Sequence, residues 1–272
     1  MKIVQATGQT CNQFWIYSNF IADSINENGK IVILAPDISI RDFPNMLNNE
    51  FIIYPFFDAK IANFFGYYGY IKFLNFLFAN RYSKIILKYL SKIIPGIEFI
   101  PAGVDCPKSI YRLIEKERLK HIYTPGNFII EPVKKIFLDA RQHFDIFVGI
   151  HIRLGDYRTY LNGKYYYKLE QYQSIMRHLI FLFKSKKVGF FISSNELIDL
   201  EIFAEFYVVT IPENSAMKDL YALSQTDFIV GPPSTFSAWA SFYGDTPLYF
   251  MEDPSYKFNL SDFINIMDVW GA

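Results

Sequence analysis

Val148-Gly149-Ile150-His151-Ile152-Arg153-Leu154-Gly155-Asp156-Tyr157 is the stretch whose reading decides the fold. Its first half, preceded by Asp145-Ile146-Phe147, is a β-branched apolar run with period-two alternation, the pattern of a buried strand. Its second half gathers His151, Arg153 and Asp156 around Gly155. In an open α/β sheet a ligand sits just beyond the carboxyl end of a strand, which is where this cluster falls. Arg153 is the central group, a planar and permanently charged fork suited to grip a diphosphate by two parallel hydrogen bonds. The competing reading is an Arg153–Asp156 pair that closes a turn and holds nothing else.

Outward from this strand the chain is regular. The pattern predicts a strand at 147–152, helix 169–184, strand 188–193, helix 196–205 and strand 206–211. Helix 216–224, strand 228–231, helix 235–243 and strand 248–251 follow, with a terminal helix at 260–270. Strands alternating with helices at these lengths argue for a doubly wound, mainly parallel sheet. Towards the amino end, strand 2–6, loop 7–11, helix 12–28 and strand 30–34 form another strand-helix-strand unit, its helix ended by Gly29. A charged helix is expected at 109–120, and Glu131-Pro132 opens a helix running to 143. The domain boundary is placed there, giving 1–143 and 144–272.

Composition excludes several classes. Of the 272 residues 51% are hydrophobic and 19% aromatic, which rules out general disorder. Lys plus Arg and Asp plus Glu both number 27, so no whole-chain charge favours nucleic acid. Two cysteines, Cys11 and Cys106, describe neither a disulfide framework nor a zinc site. The first six residues read as a strand rather than a signal peptide, and Lys72 and Asn75 interrupt the best apolar run. A cytoplasmic protein is expected.

Residues 60–94 contain no acidic residue. Arg81, Lys84, Lys88 and Lys92 fall on one helical stripe, and Ile85, Ile86, Tyr89, Leu90 and Ile93 cover the other side. One reading is a core helix with a solvated basic edge. The other is peripheral docking on an anionic membrane, at the inner face in a cytoplasmic protein.

His151-Ile152-Arg153-Leu154-Gly155-Asp156-Tyr157 resembles the H-x-R-x-G-D-Y motif of the α-1,2-fucosyltransferases, grouped as glycosyltransferase family 11. Gly8-Gln9-Thr10-Cys11-Asn12-Gln13 is similar to that family's glycine-rich loop, and Ser234-Thr235-Phe236-Ser237 resembles its S-T-F-S segment. The three occur in the family's order and span most of the chain. The resemblance implies a GT-B-like α/β fold with two Rossmann-like domains, an acceptor-side amino-terminal half and a nucleotide-sugar-binding carboxyl-terminal half. It implies inverting transfer of fucose from GDP-fucose to a glycan hydroxyl, in an α-1,2 linkage, in surface-polysaccharide or O-antigen synthesis. GDP-fucose is then a donor substrate, and no cofactor is expected. Departures are visible. Leu154 stands where the family often has a second arginine, and Ser193-Ser194-Asn195 replaces an acidic segment. They motivate two alternatives, another nucleotide sugar on the same fold or a non-catalytic nucleotide- or glycan-binding protein.

Three loops beyond strand ends supply the candidate groups. Gly231-Pro232-Pro233-Ser234-Thr235 leads into a helix whose unpaired N–H groups and positive dipole end suit phosphate, and the Ser234 and Thr235 hydroxyls add donors. Phe236 offers a face to a base, and the resemblance implies that Asp227 accepts from a guanine edge. Gly8, Asn12 and Gln13 are candidate donor contacts in the first loop, with Asn12 equally readable as a helix cap. Fixed positive charge at the leaving diphosphate, from Arg153 and the helix after Ser234, is the main catalytic help. No D-x-D pair sits in a metal-binding context, so metal-independent transfer is expected. Asp156 and His151 are both candidates for the general base, with Arg153's ion-pair partner the other reading of Asp156.

Overall fold

The computed structural model describes all residues except 7, 35, 56–65, 67–68, 71, 74, 79, 102–108, 110, 214 and 271–272. Cys106 and part of 60–94 therefore lie outside the described residues. The chain divides into two compact units, Met1–Gly126 and Asn127–Trp270.

The first unit holds a four-stranded sheet of β1 (Lys2–Val4), β2 (Ile31–Ile33), β3 (Ile52–Ile53) and β4 (Glu98–Ile100). Its order is β3-β2-β1-β4, and every pairing is parallel. Helix α1 (Thr10–Asn26) connects β1 to β2; of the apolar face Phe14, Ile16, Tyr17, Phe20, Ile21 and Ile25 that the sequence predicts, all but Ile16 are buried. It starts earlier than expected, with Gln9 at its N-cap, so Asn12 lies within the helix and does not cap it. Its end also differs. Asn28 takes the left-handed conformation at φ 50, while the Gly29 amide closes the turn on the Ser24 carbonyl at 2.8 Å. Asparagine tolerates that conformation because its short polar side chain hydrogen-bonds locally.

Helix α2 (Pro44–Leu47) precedes β3, and α3 (Arg81–Ile93) precedes β4. Asn80 caps α3 by accepting from the Ser83 amide. The core-helix reading of α3 fails, since Ile85, Ile86, Tyr89, Leu90 and Ile93 are all exposed. Helix α4 (Lys116–Ile122) is shorter than the expected 109–120 and shifted towards Leu119 and Ile122, which are buried.

The second unit begins with α5 (Asn127–Ala140). Its Phe137 packs edge-on against Phe147 at 4.9 Å and also meets Phe191 at 5.8 Å. Aromatic burial of this kind makes α5 part of the second unit's core, so the boundary lies after Gly126 and not after 143. The helix begins before Pro132 and runs through it, instead of opening at Glu131.

The second sheet contains β5 (Ile146–Ile152), β6 (Val188–Ser194), β7 (Val208–Val209), β8 (Phe228–Gly231) and β9 (Leu248–Phe250). Its order is β7-β6-β5-β8-β9, all parallel, with β5 in the middle. On one face Val148, Ile150, Ile152, Phe190 and Ile192 share a buried cluster with Tyr172, Ile175, Met176 and Leu179 of α6 (Leu169–Phe183). The other face receives α7 (Ala216–Ser224) and α8 (Thr235–Gly244). Gly149 is what lets α7 approach, because a β-carbon there would come within 2.6 Å of Leu223 Cδ2.

Two expected helices are replaced. Over 196–205 only a 3-10 turn at Leu200–Phe203 forms, started by Asp199 accepting from the Glu201 amide, and only Phe203 of that turn is buried. At the carboxyl end a 3-10 turn at Leu260–Asp262 is followed by an antiparallel bridge from Ile264 to Leu248 and a short α9 (Ile266–Trp270). Among the described residues no helix is long and apolar enough to cross a membrane.

Candidate active site at the carboxyl edge of the second sheet

From β5 the chain steps outward to β6 and β7, then returns to place β8 on the opposite side of β5. The loops after β5 and β8 leave the sheet at this reversal, which is where open α/β sheets form their ligand crevice. His151, Arg153, Ser234 and Phe236 all belong to that edge. Tyr157 links the two loops, its hydroxyl donating to the Pro233 carbonyl at 2.6 Å.

His151 stands beside Gly231 on the neighbouring strand. A β-carbon on Gly231 would lie 2.8 Å from both His151 Cβ and the His151 carbonyl oxygen, so the glycine makes room for the imidazole. The ring is 2% exposed and lies against Phe236, with centroids 5.1 Å apart at 32°. Its Nδ1 is buried without a hydrogen-bond partner. Burial, with the Arg153 charge adding to it and Asp156 opposing, pushes its pKa down to about 3. The imidazole is therefore neutral at physiological pH. An orphaned buried nitrogen costs roughly 1–3 kcal/mol unless a ligand or water satisfies it.

Arg153 follows at the end of the same face and is 9% exposed. Asp156 holds it by a fork, Nε to Oδ1 and Nη2 to Oδ2, each 3.0 Å, and its guanidinium lies 5.5 Å above the Tyr157 ring. The expected Arg153–Asp156 pair is thus real, and it sets the plane of the guanidinium. Asn195 secures the turn, donating to Asp156 Oδ1 at 3.3 Å and accepting from the Leu154 amide at 2.8 Å. Gly155 permits this approach, since a β-carbon there would fall 2.8 Å from Asn195 Nδ2. Sequence reasoning noted Asn195 only as a lost acid and missed its clamping role.

Ser234 caps α8, its hydroxyl accepting from the Phe236 amide at 3.2 Å. Capping leaves other first-turn amides of α8 as anion donors, so the two readings of Ser234 are compatible. Thr235 opens the helix, and both it and Phe236 are half-buried. Leu154 joins the apolar cluster on the far face of the sheet, so in this fold position 154 points away from Arg153. Arg158 pairs with Glu196 at 2.8 Å.

Asp227 is elsewhere. It precedes β8, so it lies at the amino edge of the parallel sheet, opposite the edge that carries Arg153. Arg141 grips both its oxygens at 3.0 and 3.2 Å, and the Phe147 amide donates to it at 2.7 Å. Its role is that of an anchor between α5, β5 and β8. A different carboxylate, missed as a site candidate, is near the functional edge: Asp219 of α7 is 4% exposed and accepts from Ser193 Oγ at 3.0 Å. Ser193 is the register neighbour of His151. The signal for it was an acid in the first turn of the helix after β7.

Gly8, Asn12 and Gln13 lie in the first unit. Gly8 has φ +86 and sits so close to Asn12 that a β-carbon would fall 2.5 Å from Asn12 Nδ2. Gln13 is buried and ties two loops together, accepting from the Asp37 amide at 2.9 Å and donating to the Gly8 carbonyl at 3.2 Å. These contacts give Gln13 a structural task at the carboxyl ends of β1 and β2.

Solved structures share this architecture. POFUT1 in complex with GDP-fucose superposes with a TM-score of 0.56 at 12% identity, over 90% of this chain and 94% of that one. The chain shares the fold of that structure. That fold is α/β and GT-B-like, with Rossmann-like parallel-sheet domains. A mutant of Arabidopsis thaliana FUT1 in complex with GDP gives 0.53 at 14% identity, over 92% of this chain and 70% of the other. NodZ α-1,6-fucosyltransferase soaked with GDP-fucose gives 0.50 at 15%, over 97% and 98%. No family model and no curated protein sequence matches the chain.

Proposed function

We propose that the carboxyl-terminal unit binds the diphosphate of GDP-fucose and that the protein transfers fucose to a glycan hydroxyl with inversion, in an α-1,2 linkage. The observation that carries this reading is Arg153, held in a fixed plane by Asp156 at the crevice where α8 begins. Support for the donor comes from the fold shared with POFUT1 and NodZ, whose structures contain GDP-fucose.

In such a transfer the acceptor oxygen bonds to the anomeric carbon as the carbon–diphosphate bond breaks and the hydroxyl proton passes to solvent, so the anomeric carbon gains positive charge while the diphosphate gains negative charge. Arg153 and the first-turn amides of α8 stabilise the departing oxygens, and they need no reorganisation because Asp156 and Ser234 already hold them. Removing one such donor typically costs about 10²- to 10³-fold in rate. His151 is too weak a base at a pKa of about 3 for general-base work near neutrality, so we assign it a hydrogen bond to the donor through Nδ1. Asp156 is a positioning residue in this scheme. Phe236 offers its face to the donor, and Thr235 adds a hydroxyl. The amino-terminal unit serves the acceptor side, and Gly8, Asn12 and Gln13 of its first loop keep the role of donor contacts. The mechanism is metal-independent, and surface-polysaccharide or O-antigen synthesis in the cytoplasm is its setting.

The replacement of an acidic segment by Ser193-Ser194-Asn195 keeps a second donor sugar in view. Calorimetry with GDP, GDP-fucose and UDP, followed by transfer assays with and without EDTA, decides between them. Preference for GDP-fucose and turnover in EDTA are expected. UDP preference sinks the donor assignment, and tight GDP binding without turnover on any glycan makes this a binding protein.

A further inference from the structure

Helix α3 combines two features that a soluble surface helix rarely combines. At about 100° per residue, Arg81, Lys84, Lys88 and Lys92 occupy an arc of roughly 80°. Tyr82, Ile85, Ile86, Tyr89, Leu90 and Ile93 occupy the next arc of roughly 140°. That second arc faces solvent, with Tyr82 at 78% exposure and Tyr89 at 66%. Ser83, Leu87 and Ser91 on the remaining side are partly buried, so the helix is seated on that side and shows its wider apolar arc outward. The helix is anchored beside β4, and its start is fixed by the Asn80 cap.

We propose that α3 docks the protein on the surface of an anionic lipid bilayer, lying in the interface with its apolar arc down. Cations at the rim of an apolar arc are arranged for this, because long basic side chains reach lipid phosphates while their stems cover apolar surface. Lys88 and Lys92 are exposed at that rim. No acidic residue occurs from 60 to 94, so α3 carries only positive charge, which is complementary to an anionic surface. A second copy of this chain is a poorer occupant. An antiparallel two-fold contact through α3 would bring the Lys88 and Lys92 edges of both copies onto one side, and lysine is depleted at protein interfaces.

The surface is independent of the nucleotide site, so either assignment can fail alone. Flotation of the full chain with phosphatidylcholine–phosphatidylglycerol vesicles, and with pure phosphatidylcholine, at low and high salt is the test. Binding to the anionic vesicles at low salt is expected, with loss in neutral vesicles or at high salt. Replacing both Lys88→Gln and Lys92→Gln should weaken partitioning roughly 30-fold. The pair Ile86→Ser and Tyr89→Ser should weaken it by more than roughly tenfold. GDP affinity and the melting curve control for folding, and if a variant misfolds the lipid and salt dependence of the unaltered chain decides. No binding at low salt, equal binding to neutral vesicles, or unchanged binding in both well-folded variants overturns the proposal. So does a dimer that the Ile86 and Tyr89 changes dissociate.

Discussion

Replacing Asp227 by alanine separates the anchor from the ligand site. The Asp227 carboxylate accepts from the Phe147 amide at 2.7 Å and from Arg141 twice, while its own amide donates to the Phe147 carbonyl at 2.8 Å. Phe147 is 1% exposed, so Asp227→Ala leaves its amide without that acceptor. A hydrogen bond to a charged acceptor is worth about 1.5–3 kcal/mol. The Arg141 pair adds little, about 0–1 kcal/mol, because its side chains are 39% and 31% exposed and water screens them. A total near 3 kcal/mol corresponds to a fall in Tm of roughly 6–12 °C for a chain of this size. Asp227→Asn keeps an acceptor for the amide and should lose roughly half as much. Thermal unfolding followed by circular dichroism reads this, with calorimetric titration of GDP alongside. Lower stability with unchanged GDP affinity is expected. Unchanged stability with lost affinity would refute the placement of Asp227 away from the donor.

Two further outcomes follow from His151 and its neighbour. With a native pKa of about 3 against an ordinary value of 6.5, His151 binds its proton in the unfolded chain before the folded one. Between those pH values the unfolded state holds more protons, so stability is fully present above pH 6.5 and falls towards pH 3, by up to about 1.4 kcal/mol per pH unit. Arg153 strengthens this by repelling the imidazolium, and Asp156 weakens it. His151→Gln should flatten the acid limb of a denaturant-midpoint profile over that range, and an unaltered limb contradicts the buried neutral imidazole. Gly231→Ala forces a methyl to within 2.8 Å of His151 backbone and Cβ. A loss of about 1–3 kcal/mol in chemical denaturation is expected, with weaker GDP binding; a neutral effect on both rejects this packing.

Much of the second unit was legible from the chain. The expected 216–224 and 228–231 agree with α7 and β8, because each is a short element bounded by strong local punctuation. The central strand was legible from its apolar β-branched run, although Asn195, which secures the arginine turn, is distant in sequence. What failed depended on distant chain. The expected terminal helix breaks at Ile264, which pairs with Leu248 across the sheet edge and leaves helical periodicity behind. The boundary after 126 rests on Phe137 meeting Phe147 and Phe191, a contact invisible to local pattern.

The site divides in the same way. Alternation put His151 and Arg153 on one face, and that was readable. The burial that neutralises His151 comes from Phe236 and the sheet, and was not. Asp227 could have been placed from sequence, since a residue just before a strand of a parallel sheet lies opposite the loops that follow its strands. Its partner Arg141 could not, being 86 residues away. Asn195 was weighed only for the charge it lacks, whereas its amide works by geometry.

The central claim is that the Arg153 guanidinium receives a diphosphate. Isothermal titration of GDP into Arg153→Ala tests it most directly, with the unaltered chain and Asp227→Asn as folded references. Two charge-assisted hydrogen bonds at about 1.5–3 kcal/mol each imply binding weakened by at least roughly 100-fold. Affinity within a factor of about two of the unaltered chain, in a variant that still unfolds cooperatively, would contradict the account.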